Sequence, residues 1–338
     1  MAWLLERAFP GSGFGWLLPE FESSLAQELD FRTEAANAER AAQIFASMPN
    51  VHVPRVLPEL SGRHVLTMEL VNGVKLSDAD GITALRLWPA EVASLLTAAF
   101  SVMVFSEGFV HCDPHPGNLL VRAQPQTDDR TEPPGHAVRP QLVLLDHGLY
   151  RELGSEFRVQ YCRLWDALLT QDHRRGRAAA QSLGVRLEDY DSLSLLLTFR
   201  TSASRTAIGT RGSAEERDRV RQKLRQLSVA DVSSFLERMP RDMLFVMRTW
   251  ALVRSLNRAL GGTTRQRLEI MGGYAARGVA VAMGGRSSPP WRVTWRIWWG
   301  VLRSRIYLVA FNWAFRLLRS AHGKQRSITK PSTSSDLG

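Results

Sequence analysis

The sequence is poor in cysteine. Two thiols in 338 residues, Cys112 and Cys162, exclude a disulfide framework and any zinc site built on several cysteines. They fit a reducing compartment. Long uninterrupted apolar runs are also missing: no stretch reaches 18 apolar residues without a charge, so no spanning helix is expected. The first residues, MAWLLERAFPGSGFGWLLPEF, have no basic segment leading into an apolar one and are not Arg/Ser-rich. They read neither as a signal peptide nor as an organelle transit peptide. No internal repeat is visible. What is present is 44% hydrophobic and 22% charged residues, the composition of a globular protein with one large or two ordinary domains.

The formal net charge is +10 and lies at one end. Residues 286–338 hold ten basic residues and one acid, Asp336, for +9; the rest holds 33 basic and 32 acidic residues, for +1. A nearly neutral body argues against a nucleic-acid partner, and the basic segment needs its own explanation.

Along the chain, residues 23–46 read as a helix that Ser23 or Ser24 can cap, with Leu25, Leu29, Ala36 and Ile44 on its apolar side. VHVPRVLPEL and RHVLTMELV read as strands joined at Ser61–Gly62, and Asn72–Gly73 closes the second. Residues 88–108 form a long apolar helix, buried on most sides. FVHCDPHPGNLLVR is a loop ending in a short strand at Leu119–Arg122, residues 124–140 are a polar, proline-rich surface loop, and QLVLLDHGL is a buried strand running into a turn. Residues 151–284 read mostly helical. The order predicts a two-lobed α+β plan with a mostly helical large lobe: 1–73 as a small lobe, 74–284 as a large lobe, and 285–338 as a basic Trp/Arg-rich tail.

The strongest chemical signal is His111-Cys112-Asp113-Pro114-His115-Pro116-Gly117-Asn118, followed 28 residues later by Asp146-His147-Gly148. Phosphoryl transfer from ATP needs such a set. One carboxylate positions or deprotonates the acceptor, while an amide oxygen and a second carboxylate hold Mg²⁺ on the phosphates. The kinase pattern H-R-D-L-x-x-x-N followed by D-F-G has the same spacing, with Cys112 here in place of Arg and His147 in place of Phe. Taken singly, His-x-Asp is usually a local hydrogen bond and Asp-His-Gly a turn; together and in order they favour function. His111 is a candidate catalytic residue, more simply read as a histidine bracing the loop. Zinc held by His111, His115 and Asp113 is the rival chemistry, disfavoured because no further His/Cys cluster stands at ligand spacing. Glu28, Asp30 and Glu34 gather carboxylates on the first helix, where Glu28 can also simply pair with Arg32. Met68, Glu69 and Val71 end a strand in the way a hinge presents its backbone to adenine, a weak signal alone.

These motifs resemble the AarF/UbiB-like atypical kinases. The carrying stretches are ELDFRTEAANAER (28–40), PRVLPELSGRHVLTMELVNG (54–73), GFVHCDPHPGNLLVR (108–122) and LVLLDHGLY (142–150), and the resemblance as a whole covers about residues 5–280. Asp-His-Gly and RMPRDMLFVMRTWALVRSLNRALG (238–261) look like the subgroup of members numbered one and five. The resemblance implies an atypical protein-kinase-like fold. Asp113 would be the catalytic-loop aspartate, Asn118 and Asp146 the Mg²⁺ ligands, and Glu34 the partner of the nucleotide-binding lysine. Glu28 and Asp30 would form a pair that holds an inhibitory extension. ATP and Mg²⁺ follow as cofactors, and mitochondrial or other organelle membranes, with lipid or isoprenoid-quinone metabolism, as the setting. Residues 1–27 show no counterpart of the family's alanine-rich phosphate loop or lysine strand. The expectation is therefore an incomplete small lobe, weak MgATP binding and negligible turnover. A pseudokinase or scaffold at a membrane surface is the alternative.

In residues 291–319, Trp291, Trp295, Trp298, Leu302, Ile306, Val309 and Trp313 fall on one helical face flanked by Arg292, Arg296, Arg303, Arg305 and Arg316. Trp with flanking Arg is the pattern of an amphipathic helix in an anionic membrane interface. The alternative is a C-terminal helix packed on the body. Arg303 and Arg305 oppose a spanning helix. The acceptor, lipid or protein, is not specified by any motif.

Overall fold

The structure is a computed structural model that describes residues 30–125, 138–198, 218, 220, 222 and 234–284. The chain divides into units 1–279 and 280–338, and the architecture below is that of the first. Residue 28 and the 291–319 segment lie outside the described residues.

The site is positioned by two small sheets. The first has four strands, β1 (Val51–His52), β2 (Val74–Lys75), β4 (Leu119–Ala123) and β5 (Pro140–Leu144), in the order β1-β5-β4-β2. β4 and β5 pair antiparallel with Leu119 opposite Leu144 and Ala123 opposite Pro140, while β1 runs parallel to β5. β5 is buried along its whole length, which explains the apolar run Leu142–Leu144, and the buried Gln141 donates to Pro49 O at 2.7 Å. The second sheet pairs β3 (Phe109–His111) with β6 (Tyr150–Glu152), His111 opposite Tyr150.

The chain runs β3–loop–β4 and then β5–loop–β6. Because β4 pairs with β5 and β3 with β6, the loops 112–118 and 145–149 lie side by side. Backbone bonds fasten both ends: Leu145 N donates to Asn118 O at 2.9 Å, and Cys112 N to Leu149 O at 3.0 Å.

Beneath the loops runs the apolar helix expected over 88–108. It is α-helical over Pro89–Ser101 (α3), with Pro89 at its first turn, and continues as a π-turn over Val102–Glu107. The π-turn leaves carbonyls without their usual partners. Arg158 donates to Phe105 O at 3.3 Å and Ser106 O at 2.7 Å, satisfying two of them. Gly108, at φ 70°, ends the helix in the left-handed conformation that glycine adopts at least cost. Pro89–Glu107 is long and apolar enough to cross a membrane, yet most of it is buried inside this fold, as expected of a core helix. Phe105 anchors the core, stacked on Tyr161 at 5.7 Å and contacting Trp250 at 5.9 Å.

Other helices among the described residues include α1 (Phe31–Ile44), α2 (Ala79–Ala84), α4 (Ser155–Leu169), α5 (His173–Ser182), α6 (Tyr190–Thr198), α7 (Arg241–Ala259) and α8 (Thr264–Gly284). α7 is tied to α3 by the Asn257 amide, which donates to Ala93 O at 3.1 Å and Thr97 Oγ1 at 3.2 Å.

Two expectations change. α1 is capped by Asp30, whose carboxylate accepts from Arg32 N, rather than by Ser23 or Ser24. The 51–71 segment is not a regular hairpin: Val56 and Met68 make an isolated bridge, and Pro58–Leu60 is a 3₁₀ turn. Pro54 and Pro58 lack the donors that a ladder needs. The Ser61 hydroxyl replaces part of it, accepting from Thr67 N at 2.9 Å and donating to Leu57 O at 2.8 Å.

Candidate functional site

The side-by-side loops bring Asp113, Asn118 and Asp146 to one end of the β4–β5 ribbon. Asn118 is buried, and its Nδ2 donates to Asp113 O at 3.3 Å. That bond fixes the amide relative to the loop and leaves its oxygen as an acceptor. Asp146 stands one residue past β5 plus Leu145, and its Oδ1 accepts from Gly148 N at 2.8 Å. The Asp113 carboxylate is part-exposed and lies 3.3 Å from the Arg248 guanidinium of α7.

Helix α1 closes the site on the opposite side. Glu34 Oε1 accepts from His147 N at 3.2 Å, and Asn37 Nδ2 donates to His147 O at 2.9 Å. The two side chains are one turn apart and clasp both backbone polar groups of a single residue, His147. Further along, Arg40 lies 4.1 Å above the Phe109 ring and pairs with Glu152 at 2.8 Å. Glu34, Asn37 and Arg40 thus form one face of α1 that reads the Asp-His-Gly turn and the second sheet.

Glu34 and Asp146 are both carboxylates, and they border the same glycine. A methyl at Gly148 would meet Asp146 Oδ1 at 3.3 Å and Glu34 Oε2 at 3.9 Å. Partial burial raises the Glu34 pKa; the His147 N–H acts in the opposite sense, and the neighbouring Asp146 charge raises it further. Two adjacent acids at a half-buried position favour a cation between or beside them.

The histidines are structural in their placement. His147 is buried, with Nδ1 at 3.0 Å from Tyr150 Oη and Nε2 at 3.1 Å from Leu144 O. Burial holds its pKa down at about 4. His111 is buried too, stacked on Tyr150 at 5.2 Å, with Nδ1 3.3 Å from Leu149 O, and burial lowers its pKa. Its ring braces the paired loops from below and does not face solvent. His115 is outside this stack: its Nδ1 accepts from Gly117 N at 3.0 Å, and its Nε2 lies 3.9 Å from Asp113 Oδ2. His111, His115 and Asp113 are therefore not brought together as three donors. Among the described residues no group of three His, Cys, Asp or Glu side chains is placed to hold a metal. Asn118 and Asp146 fit a different ion. Two oxygen donors suit Mg²⁺, which is commonly held by one or two carboxylates plus substrate phosphates.

The other expected residues are placed less directly. Glu69 uses its carboxylate internally, at 3.1 Å from His52 Nε2 and 3.1 Å from Arg55 N. Its backbone N donates to Arg55 O at 2.8 Å. Met68 bridges Val56, and Val71 lies in the extended link to β2. Asp30 is engaged by its own helix: the Arg32 guanidinium at 2.6 Å holds its carboxyl down at about 2. Asn37 and Arg248 were missed by sequence reasoning. Asn37 is one turn beyond Glu34, a spacing that could have marked it. Arg248 lies 135 residues from Asp113, and no local pattern connects them.

Comparison with known proteins identifies the family and the fold. The ABC1 atypical kinase-like domain matches residues 1–180. AarF domain-containing protein kinase 1 of Xenopus laevis is 36% identical over 260 residues, covering 76% of this chain and 48% of that protein. A putative ABC1 protein of Arabidopsis thaliana is 33% identical over 332 residues, covering 94% of this chain and 60% of that one. A probable serine/threonine-protein kinase of Dictyostelium discoideum is 34% identical over 277 residues, covering 82% and 38%. The chain thus spans between 38% and 60% of the length of these relatives. A Mycobacterium tuberculosis protein solved in complex with erythromycin matches the fold with a TM-score of 0.50 at 19% identity, over 80% of this chain and 65% of that one. The mixed α+β architecture is kinase-like, and the chain belongs to the ABC1 (AarF) atypical kinase-like family.

Proposed function

We propose that the cleft bordered by Asp113, Asn118 and Asp146 binds a magnesium–nucleoside triphosphate and supports transfer or hydrolysis of its terminal phosphate. The observation that carries this is the pairing of β3 with β6 and β4 with β5. It sets a carboxylate, an amide oxygen and a second carboxylate at the mouths of two adjoining loops. In this reading Asn118 and Asp146 hold Mg²⁺, which when bound offsets phosphate charge. Asp113 accepts the proton of an acceptor hydroxyl or orients it. Glu34 keeps the Asp146 loop in place through His147 N and stands ready for a cationic partner. In this reading His111 braces the loops and the Met68–Val71 backbone would meet the adenine.

Asp113→Asn is expected to retain MgATP binding and lose any phosphate release, because it removes a proton acceptor and leaves the metal donors. Loss of binding alongside release would instead assign Asp113 a structural role.

Work on a membrane lipid or an isoprenoid quinone is the finer part of the proposal. It is supported by the family resemblance and by the Trp/Arg pattern of 291–319.

A further inference from the structure

Arg248 lies outside residues 1–180, the extent of the family match, yet it reaches the centre of the site. The helix that carries it is fixed along its length. Val246, Trp250 and Val253 are buried in the core. Arg151 Nε on β6 donates to Asp242 Oδ1 at 2.8 Å near the start of α7, and Asn257 ties its end to α3. Arg248 is therefore presented from a rigid support rather than a loop.

Its guanidinium meets Asp113 Oδ1 at a single point, 3.3 Å away. Arginine–carboxylate pairs in full engagement are forked and shorter, about 2.7–2.9 Å. Of the Arg248 side chain 56% remains exposed, against 34% for Asp113, and a single contact to Asp113 leaves the other guanidinium donors available to a ligand. Glu34, Asp113 and Asp146 would together repel a polyphosphate. A divalent ion held by Asn118 and Asp146 would offset part of this charge, and Arg248 stands at Asp113. His115 accepts from Gly117 N through Nδ1 and places its Nε2 3.9 Å from Asp113 Oδ2, beyond hydrogen-bond distance.

We propose that Arg248 is a phosphate-binding residue of this site. On nucleotide binding its guanidinium takes up the terminal phosphate while keeping Asp113 turned toward the acceptor. This rests on the phosphotransfer reading and adds to it a group supplied by the C-terminal helices. Arginine suits the role, since its planar fork matches phosphate oxygens and its charge is permanent.

The test is a comparison of two nucleotides on the full chain. Binding of the magnesium complexes of ATP and ADP is measured by equilibrium dialysis for the wild type, Arg248→Gln and Arg248→Lys, with circular-dichroism melts to verify folding. Arg248→Gln is expected to weaken ATP about tenfold, the scale of one lost charge-assisted bond, while ADP changes less than about twofold because it lacks the terminal phosphate. Arg248→Lys should fall between, keeping the charge but not the fork. Equal weakening of both nucleotides, no change, or tighter ATP binding in Arg248→Gln would overturn the proposal. If the wild type binds both nucleotides and Asp146→Asn abolishes binding, any of those outcomes removes Arg248 alone. If the wild type binds neither, the phosphotransfer reading falls and this inference with it.

Discussion

His147 shows how one residue links stability to the site. Its ring spends both nitrogens on buried partners, Tyr150 Oη and Leu144 O, while its backbone is held by Glu34 and Asn37. Burial lowers its pKa from 6.5 to about 4, so the folded chain binds fewer protons than the unfolded chain across that window. Stability is then complete above the unfolded value and is lost as pH falls toward 4, by roughly 3 kcal/mol in full. His111, lowered in the same direction by its burial, adds to the trend. The melting temperature of the wild type is expected to fall between pH 6.5 and pH 4, and that of His147→Gln to fall less steeply. Parallel curves would assign the acid sensitivity to other groups. The aspartates and Asn118 were legible in the sequence because their spacing is a chemical pattern. The state of His147 was not, because its pKa depends on burial that only the packed strands create.

At the scale of elements, α1 matters more as a clamp than as an apolar helix. Its interior contacts are mostly alanine, Ala38 and Ala41, which bury little surface. Specific polar contacts to the second loop must therefore contribute much of its docking. Asn37→Ala removes the donor to His147 O and is expected to destabilise the fold by about 1–2 kcal/mol. It should also speed amide exchange at His147 and Gly148 more than elsewhere. Uniform exchange across the domain would contradict a local clamp. The sequence indicated the helix by its period and Glu34 by its motif. It misplaced the cap, since a Ser and an Asp look equally suited and only the chain path distinguishes them. The 51–71 segment misled for a related reason: β-branched residues suggest strands, but Pro54 and Pro58 interrupt the ladder and side chains of Ser61, Thr67 and Glu69 replace it.

At the scale of the molecule, the site exists because two short sheets hold two loops in register, and a helix from each side completes it. α1 brings Glu34, and α7 brings Arg248. The family motif made the loops recognisable in the sequence. The contribution of α7 depends on a fold contact across more than a hundred residues, so it emerges only from the structure. For the Trp/Arg segment at 291–319, which lies outside the described residues, the sequence expectation is direct. Co-sedimentation with anionic liposomes should fall when Arg292, Arg296 and Arg303 are changed to Glu. Each charge near the surface is worth about 1 kcal/mol, and unchanged binding would remove the interfacial reading. The central claim concerns the metal and the nucleotide. Its most direct measurement is electron paramagnetic resonance of Mn²⁺, used in place of Mg²⁺, titrated with the full chain in the presence and absence of ATP. The expected result is nucleotide-dependent loss of the free-Mn²⁺ signal beyond that of ATP alone in the wild type, reduced in Asn118→Ala and abolished in Asp146→Asn. Mn²⁺ binding of equal extent in the wild type and Asp146→Asn would contradict it.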